Sequence, residues 1–269
     1  MNYRHAYHAG NHIDVFKHAV LVMLLEHLRK KEKPFTVLDT HAGAGRYDLR
    51  SLEAGKTGEA ADGIGRVFGA ALPAAEGYLD LVRSLNPEGL ATYPGSPAIK
   101  NKETKESFNE EEAEKLRREF RHDPRVAVHH RDGYEAIGAF VPFPSRRGLV
   151  FIDPPFEKDD RDAYRRLAAR LNAGLRKWPT GIFAAWYPLK DRVGIDAVRT
   201  GYAATNPPTL AAEFLRVPID GTTFAGGGLL IANPPYGLAP RLKAFGRELA
   251  AAFQAPKARL GLDWWIPEA

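Results

Sequence analysis

Two short stretches of the chain place an acid or an amide, two prolines and an aromatic ring directly after an apolar run. They are FIDPPFEK at 151–158 and IANPPYGL at 231–238. A side-chain oxygen and a backbone carbonyl beside a proline can together accept both N–H groups of an exocyclic nucleobase amine. Proline fixes φ and removes a backbone donor, and the aromatic ring stacks on a base flipped out of its helix. The pattern therefore indicates transfer of a group to such an amine.

Position along the chain favours Asp153 over Asn233 as the residue that holds the amine. In a doubly wound sheet the ligand lies beside the first strand, where strand order reverses, and a mid-sequence strand can lie next to it. Asn233 closes the last strand but one, which we expect nearer an edge of the sheet. A carboxylate is also the better acceptor for developing positive charge. We therefore expect Asp153 to be catalytic and residues 233–236 to form a structural turn.

A bend with two glycines follows the first predicted strand, in the segment VLDTHAGAGRYDL. Gly43 and Gly45 let a ligand approach the backbone closely. A dinucleotide site needs a third glycine about three residues later, where this chain has Asp48, whose charge repels a pyrophosphate. S-adenosylmethionine (SAM) carries an ammonium and a sulfonium, which suit the acidic strand end at Asp39. A nicotinamide-dependent oxidoreductase and a bend without any ligand are the alternatives.

The composition is that of a globular protein and is compatible with a polyanionic partner. The 269 residues are 44% hydrophobic and 26% charged, with a formal net charge of +5 and no cysteine. The lack of cysteine excludes disulfides and thiolate–metal sites, and it fits a reducing, cytoplasmic compartment. The N-terminal stretch lacks signal-peptide features, and no apolar run reaches the ~18 residues of a membrane span. We expect no membrane partner.

Strand and helix patterns alternate along the chain and favour a doubly wound α/β sheet. Apolar residues at helical spacing predict a helix over 12–31. Strands are predicted at 34–40, 126–130, 148–153, 181–188, 210–219 and 226–233. Residues 47–95 are expected to form a helical insertion after the first strand, without a strand of its own. No repeat or linker marks a second domain, so residues 1–269 are expected to form a single domain.

The segment 100–120, KNKETKESFNEEEAEKLRREF, is polar where a doubly wound sheet needs a further strand. Phe108 is the only large apolar residue in its first half. The mixed charge predicts a loop that leads into an exposed helix.

Several motifs taken together resemble the RlmJ family, and the similarity runs nearly from end to end. They are YRHAYHAGNHIDVFKH, LDTHAGAGRYDL, YPGSP, RDGYEAI, RRGLVFIDPPFE, AAWYP and WWIPE. The resemblance implies a Rossmann-like class I SAM-dependent methyltransferase sheet with a helical insertion after the first strand. It also implies methylation at N6 of one adenine, adenine 2030 in the family, of 23S ribosomal RNA.

The same resemblance implies roles for individual residues. Asp153 matches the family's catalytic aspartate, which also contacts SAM. The other matches to SAM-contacting residues are His18, His41, Ser96, Asp132 and Gly133. Tyr3 matches a tyrosine that faces the RNA, and Lys17 and Phe156 are expected substrate contacts. We expect the protein to be a monomer.

One departure from the family pattern affects the cofactor site. The family has an apolar strand that ends in a glutamate holding the cofactor ribose, whereas this chain has the polar segment 100–112. Counting back from LRREF puts Ser107 at that position, with Glu106 beside it, so the ribose acid is unassigned. Losing such a contact costs about 1.5–3 kcal/mol, or one to two decades in affinity. The alternative function is therefore an RNA-binding protein of methyltransferase fold with weakened or lost SAM binding.

Four histidines near the N-terminus resemble a metal-binding set. They are His5, His8, His12 and His18. Zinc sites usually combine histidine with cysteine or several carboxylates, and here Asp14 is the only acid nearby. We expect packing and substrate or cofactor contacts at these positions, and no metal.

Overall fold

An eight-stranded sheet forms the centre of the protein in the computed structural model, which describes residues 5–100, 105–107, 110–156, 161–221 and 224–268. The strands are β1 (Thr36–Asp39), β2 (Arg46–Asp48), β3 (Thr92–Pro94), β4 (Lys105–Ser107), β5 (Val128–His130), β6 (Gly148–Ile152), β7 (Ile182–Leu189), β8 (Thr209–Leu215), β9 (Gly226–Ala232) and β10 (Arg259–Ile266). The sheet has the order β10-β8-β9-β7-β6-β1-β4-β5, and β2 pairs separately with β3.

Helices cover both faces of this sheet. They are α1 (His12–Arg29), α2 (Leu52–Thr57), α3 (Glu59–Asp62), α4 (Ile64–Val67), α5 (Glu76–Ser84), α6 (Ser96–Lys100), α7 (Glu110–Glu119), α8 (Gly133–Phe140), α9 (Arg161–Lys177), α10 (Arg192–Gly201) and α11 (Leu238–Ala252). Single 3-10 turns lie at His5–Tyr7 and Pro73–Ala75.

Strands β1, β4, β5, β6 and β7 run parallel, so their carboxyl ends meet at one edge of the sheet, called here the carboxyl edge. β4 and β5 lie on one side of β1, and β6 and β7 lie on the other. This is the 3-2-1-4-5 strand arrangement of Rossmann-like sheets, with its reversal point at β1. All five residues of β6 are buried, as expected of a strand covered on both faces. The predicted fold class is confirmed.

Strand β9 runs in the opposite direction and lies between β7 and β8. It pairs antiparallel with β7, with Ala232 opposite Phe183 and Gly226 opposite Leu189. The expected position of this strand near a sheet edge is therefore wrong. Because β9 is antiparallel, its carboxyl end lies at the edge of the sheet opposite to the carboxyl edge.

Four strands of the structure were not predicted from the sequence. The polar residues Lys105–Ser107 form β4, between β1 and β5, where a loop was predicted. Backbone hydrogen bonds on both sides hold such a strand, so its side chains need not be apolar. The three-residue strands β2 and β3 lie at the two ends of the segment in which no strand was predicted. β10, which pairs with β8, was also missed.

Successive side chains of the central strands point into two apolar clusters. On one face, α1, α5 and α11 pack against Val37, Leu149 and Phe151. On the other face, α8, α9 and α10 pack against Leu38 and Val150. Asn11 is the N-cap of α1, and its side chain accepts hydrogen bonds from two helix amides. Nearly all of α1 is buried, and this burial fixes the polar side chains that it carries at the carboxyl edge.

Candidate active site

A cavity of about 640 Å³ lies at the carboxyl edge, between α1 and the turns that follow β1 and β6. Strands β1 and β6 are adjacent and parallel, with Asp39 opposite Phe151, so the glycine bend and the Asp-Pro-Pro-Phe turn begin side by side. The predicted site residues that line the cavity are Lys17, His18, His41, Ser96, Asp153 and Phe156.

Asp153 is joined to α1 by a chain of charged side chains. Lys17 Nζ lies 2.6 Å from Asp153 Oδ2 and 3.2 Å from Asp14 Oδ1. Asp14 Oδ2 is 3.0 Å from His5 Nε2 and accepts a hydrogen bond from the amide of Gly10. Burial alone raises the pKa of Asp14, but the charges of His5 and Lys17 outweigh it and hold that pKa well below its usual value. Asp14 therefore stays ionised and keeps the Lys17 ammonium beside Asp153.

Aromatic rings surround the turn after Asp153. The ring of Phe156 lies 5.4 Å from that of Trp186 and 4.8 Å from that of Tyr164, both edge-on or tilted. The Lys17 ammonium lies 5.2 Å from the Trp186 ring centre, within the range of a cation–π contact. Phe156 and Trp186 thus form an apolar corner of the cavity next to the carboxylate.

The glycine bend is held open by its own neighbours. Gly45 has a φ of 90°, which a residue with a side chain rarely adopts. At Gly43 a Cβ atom would lie 2.0 Å from the hydroxyl of Tyr47, which accepts a hydrogen bond from the amide of Ala44. Ser96 closes the other side of the bend, and its hydroxyl donates to Asp39 Oδ2 at 2.7 Å. The bend presents backbone to the cavity and leaves room for a ligand.

His41 lies in the cavity wall, and its imidazole ring is neutral. Its Nδ1 lies 2.7 Å from Thr40 Oγ1, and burial lowers its pKa to about 4. Gly133, the first residue of α8, packs so closely that a Cβ there would lie 2.0 Å from the carbonyl oxygen of Thr40. Asp132 caps α8 by accepting hydrogen bonds from two amides. Asp132 and Gly133 thus lie behind His41, outside the described lining of the cavity.

His18 is fixed in the cavity wall by two buried tyrosines. Its Nδ1 lies 2.8 Å from Tyr93 Oη, which lies 3.2 Å from Tyr78 Oη. Burial raises the pKa of both phenols above the usual value, so both hydroxyls keep their protons at neutral pH. These two hydrogen-bonding contacts determine the orientation of the His18 ring.

Asn233 lies at the opposite edge of the sheet from Asp153, because β9 is antiparallel to β6 and β7. Its side-chain amide donates hydrogen bonds to the carbonyls of Pro179 and Gly181, and its φ is 52°. These contacts tie the end of β9 to the turn before β7. The second Pro-Pro segment therefore faces away from the cavity.

Several lining residues were not selected from the sequence. They are Trp186, Glu59, Glu112 and Phe224. Trp186 belongs to the AAWYP motif, one of those that resemble the RlmJ family, so the motif could have identified it as a site residue. The two glutamates lie on helices among other charged residues, and only tertiary packing brings them to the cavity. Tyr3, the predicted RNA-facing residue, lies outside the described residues.

No group of three or more His, Cys, Asp or Glu side chains within residues 5–100, 105–107, 110–156, 161–221 and 224–268 is arranged to hold a metal ion. In the same ranges, no helix has the length and apolar character needed to cross a bilayer.

Two curated relatives match along most or all of the chain. One is ribosomal RNA large subunit methyltransferase J of Escherichia coli (strain K12), 39% identical over an alignment that covers both chains completely. The other is the protein of the same name from Haemophilus influenzae (strain ATCC 51907 / DSM 11121 / KW20 / Rd), 37% identical over 90% of each chain.

Solved structures and a family model agree with these relatives. A crystal structure of a Legionella pneumophila str. Philadelphia 1 protein is similar with a TM-score of 0.88 and 29% identity, covering 96% of this chain and 98% of that one. Residues 32–266 match the family model described as ribosomal RNA large subunit methyltransferase D, RlmJ. The chain therefore belongs to the RlmJ family of ribosomal RNA large subunit methyltransferases, and the resemblance seen in its motifs is confirmed.

Proposed function

We propose that this protein methylates N6 of one adenine in 23S ribosomal RNA with SAM as the methyl donor, at the position that corresponds to adenine 2030. The observation that carries the proposal is that Asp153 and the Gly43–Gly45 bend border one cavity at the reversal point of the sheet. For a direct methyl transfer, the residue that holds the target amine and the bend that binds the cofactor must border the same cavity. The names of the curated relatives support ribosomal RNA as the substrate.

The residues of the cavity suit a cationic cofactor. Its volume of about 640 Å³ is within the range of ligand pockets. Because its pKa is about 4, His41 is neutral at pH 7 and does not repel a sulfonium. We assign His18, His41 and Ser96 to the methionine side, and Asp132 and Gly133 to the adenine side. When bound, SAM supplies an electrophilic methyl group.

Asp153 holds the amine of the target base in this proposal. Lys17 occupies Oδ2, whereas Oδ1 has no hydrogen-bond partner among the described residues and is free to accept an N–H group. Positive charge develops on N6 as it is methylated, so the bond to the carboxylate becomes charge-assisted and strengthens. The contact with Lys17 fixes the rotamer of Asp153. Phe156 stacks on the base, and Tyr3 contacts the RNA.

The proposal extends to the organisation of the whole chain. Residues 1–269 form a single methyltransferase domain, and residues 47–95 are a helical insertion in it. The pairing of β2 with β3 at the base of these helices supports this division. The protein acts as a monomer in the cytoplasm, where its RNA substrate is located. The positive net charge supports binding to a polyanion.

Methyl transfer to unmodified 23S RNA tests the proposal. Purified protein is incubated with labelled SAM and transcribed RNA, and the modified nucleoside is identified by chromatography. We expect N6-methyladenosine at one position. Asp153→Ala should lower the single-turnover rate by about 10²-fold or more, as when one charge-stabilising group is removed. Asn233→Ala, at the other edge of the sheet, is the control and should keep the rate.

One result would overturn this function, and another would overturn the role of Asp153. RNA binding without SAM binding would instead support an RNA-binding protein of methyltransferase fold. An active Asp153→Ala variant together with an inactive, folded Asn233→Ala variant would show that the second Pro-Pro segment holds the amine.

A further inference from the structure

Glu112 brings to the cavity a carboxylate oxygen that is buried and has no hydrogen-bond partner among the described residues. It lies on α7 and lines the same cavity as Asp153. The oxygen in question, Oε2, has essentially no contact with solvent. The other oxygen, Oε1, is 3.5 Å from Lys115 Nζ on the same helix. A desolvated acceptor without a donor is unfavourable, so a ligand that supplies a donor stabilises this arrangement.

The other carboxylates that line the cavity already have partners. Asp14 and Asp153 share Lys17. Glu59 accepts hydrogen bonds from His8 Nδ1 and Asn11 Nδ2, at 2.8 and 3.1 Å. These three hold the cavity wall together. Glu112 differs from them because its buried Oε2 has no hydrogen-bond partner within the described part of the chain.

The position of Glu112 indicates which part of a ligand it meets. Its Oε2 is 3.7 Å from the place that a Cβ atom on Gly43 would occupy, so the carboxylate lies against the glycine bend. Helix α7 follows β4, the neighbour of β1 on the side away from β6. In Rossmann-like sheets, an acid that follows the second strand of the sheet binds ribose hydroxyls. Asp153 and Glu112 thus border the cavity from the two sides of β1.

We propose that Glu112 accepts hydrogen bonds from the ribose hydroxyls of SAM, and that it replaces the family's strand-end glutamate, whose position is occupied by Ser107 in this sequence. This inference depends on the proposed function, because it assigns one contact in the same cofactor site. The acid lies in the first turn of α7, with its side chain against the glycine bend. A vicinal pair of hydroxyls supplies two donors, which matches the two oxygens of one carboxylate.

Calorimetric binding of S-adenosylhomocysteine to the full chain tests this contact without measuring catalysis. Glu112→Gln should raise the Kd about ten- to one-hundredfold, the effect of losing a hydrogen bond to a charged group. Glu114→Gln, on the exposed side of the same helix, is the matched control and should leave the Kd unchanged. The 2′-deoxy analogue, which keeps only the 3′-hydroxyl donor, should bind wild type more weakly, and Glu112→Gln should weaken its binding by a smaller factor than it weakens binding of the ribose ligand.

The possible results distinguish a failure of the Glu112 contact from a failure of the whole cofactor site. Unchanged binding by Glu112→Gln, with normal binding by wild type, overturns the role of Glu112 and leaves the proposed function intact. A loss with Glu106→Gln alone assigns the ribose to the end of β4 instead. Wild type that binds neither SAM nor S-adenosylhomocysteine overturns both proposals. If Glu112→Gln does not fold, equal affinity of wild type for the ribose and 2′-deoxy ligands still overturns the contact.

Discussion

The ammonium of Lys17 lies 2.6 Å from Oδ2 of Asp153, a residue 136 positions further along the chain, and 3.2 Å from Oδ1 of Asp14. One cation thus joins the first helix to the turn after β6. Removing it leaves two largely buried carboxylates without their shared partner. We expect Lys17→Met to lower the free energy of unfolding by roughly 3 kcal/mol at neutral pH, measured by urea denaturation.

The control for this prediction is an ion pair on the surface. Lys115 Nζ lies 2.9 Å from Glu111 Oε1, and both side chains are about half exposed. Because water screens this pair, Lys115→Met should cost less than about 1 kcal/mol. Equal losses for the two variants would show that the Lys17 contacts add no stability beyond that of a surface pair.

Two substitutions of Asn233 separate the contributions of backbone strain and of side-chain hydrogen bonds to the free energy of unfolding. Its amide donates to two carbonyls, and its φ of 52° is unfavourable for alanine. Asn233→Ala should therefore lose about 1–3 kcal/mol from the hydrogen bonds and roughly 1 kcal/mol more from the backbone. Asn233→Gly should regain the backbone part, since glycine adopts positive φ freely. Urea unfolding of both variants measures the difference, and identical stabilities would contradict it.

Gly133 and Gly138 form a matched pair on α8. A methyl group on Gly133 would collide with the carbonyl of Thr40, whereas a Cβ on Gly138 would have no described atom within 4 Å apart from its chain neighbours and the nearby backbone of its own helix. Gly133→Ala should lower the free energy of unfolding by about 1–3 kcal/mol, as overpacking does. Gly138→Ala should raise it by about 0.5–1 kcal/mol through the higher helix propensity of alanine. Chemical denaturation of both proteins checks the opposite signs.

Acid should destabilise the protein through two histidines before most carboxylates titrate. Burial lowers the pKa of His12 and His41 to about 4, so both are neutral in the folded state at pH 5 and protonated in the unfolded state. Each contributes a fall of about 1.4 kcal/mol in unfolding free energy per pH unit between 6.5 and 4. The hydrogen bond to Glu59 raises the pKa of His8. Well below a pH of about 6.5, His8 is therefore protonated in both the folded and the unfolded state and adds little slope.

Urea unfolding at several pH values between about 4.5 and 6.5 measures this slope. The upper limit is the ordinary pKa of histidine. The double variant His12→Asn/His41→Asn should give a flatter dependence than wild type. Parallel curves for the two proteins would assign the acid sensitivity to other groups.

The sequence was sufficient to predict the elements that border the cavity on the sheet side. Continuous apolar runs marked β1 and β6, and the polar residues after them identified the carboxyl edge. The parallel pairing of these two strands then brought the glycine bend beside Asp153. These features follow from local pattern and from the strand order that doubly wound sheets share.

Other features depend on tertiary contacts that leave no local pattern. The polar strand β4 exists because β1 and β5 offer hydrogen bonds on both sides. The direction of β9, which places Asn233 away from the site, is not encoded in its apolar run. The contact between Lys17 and Asp153 requires α1 to cross a particular part of the sheet. Residue spacing before the first strand does not specify that crossing.

The amide of Gly95 donates to the carbonyl of Gly45 at 2.8 Å, next to the pairing of β2 with β3. The polypeptide thus leaves and re-enters this part of the fold at neighbouring points. Several of these helices pack in the core, whereas extra residues in an exposed connection such as 87–89 would add mainly a loop-closure entropy that grows slowly with length. Homologous proteins can therefore differ in the length of such a connection while the bend and Ser96 keep their relative positions.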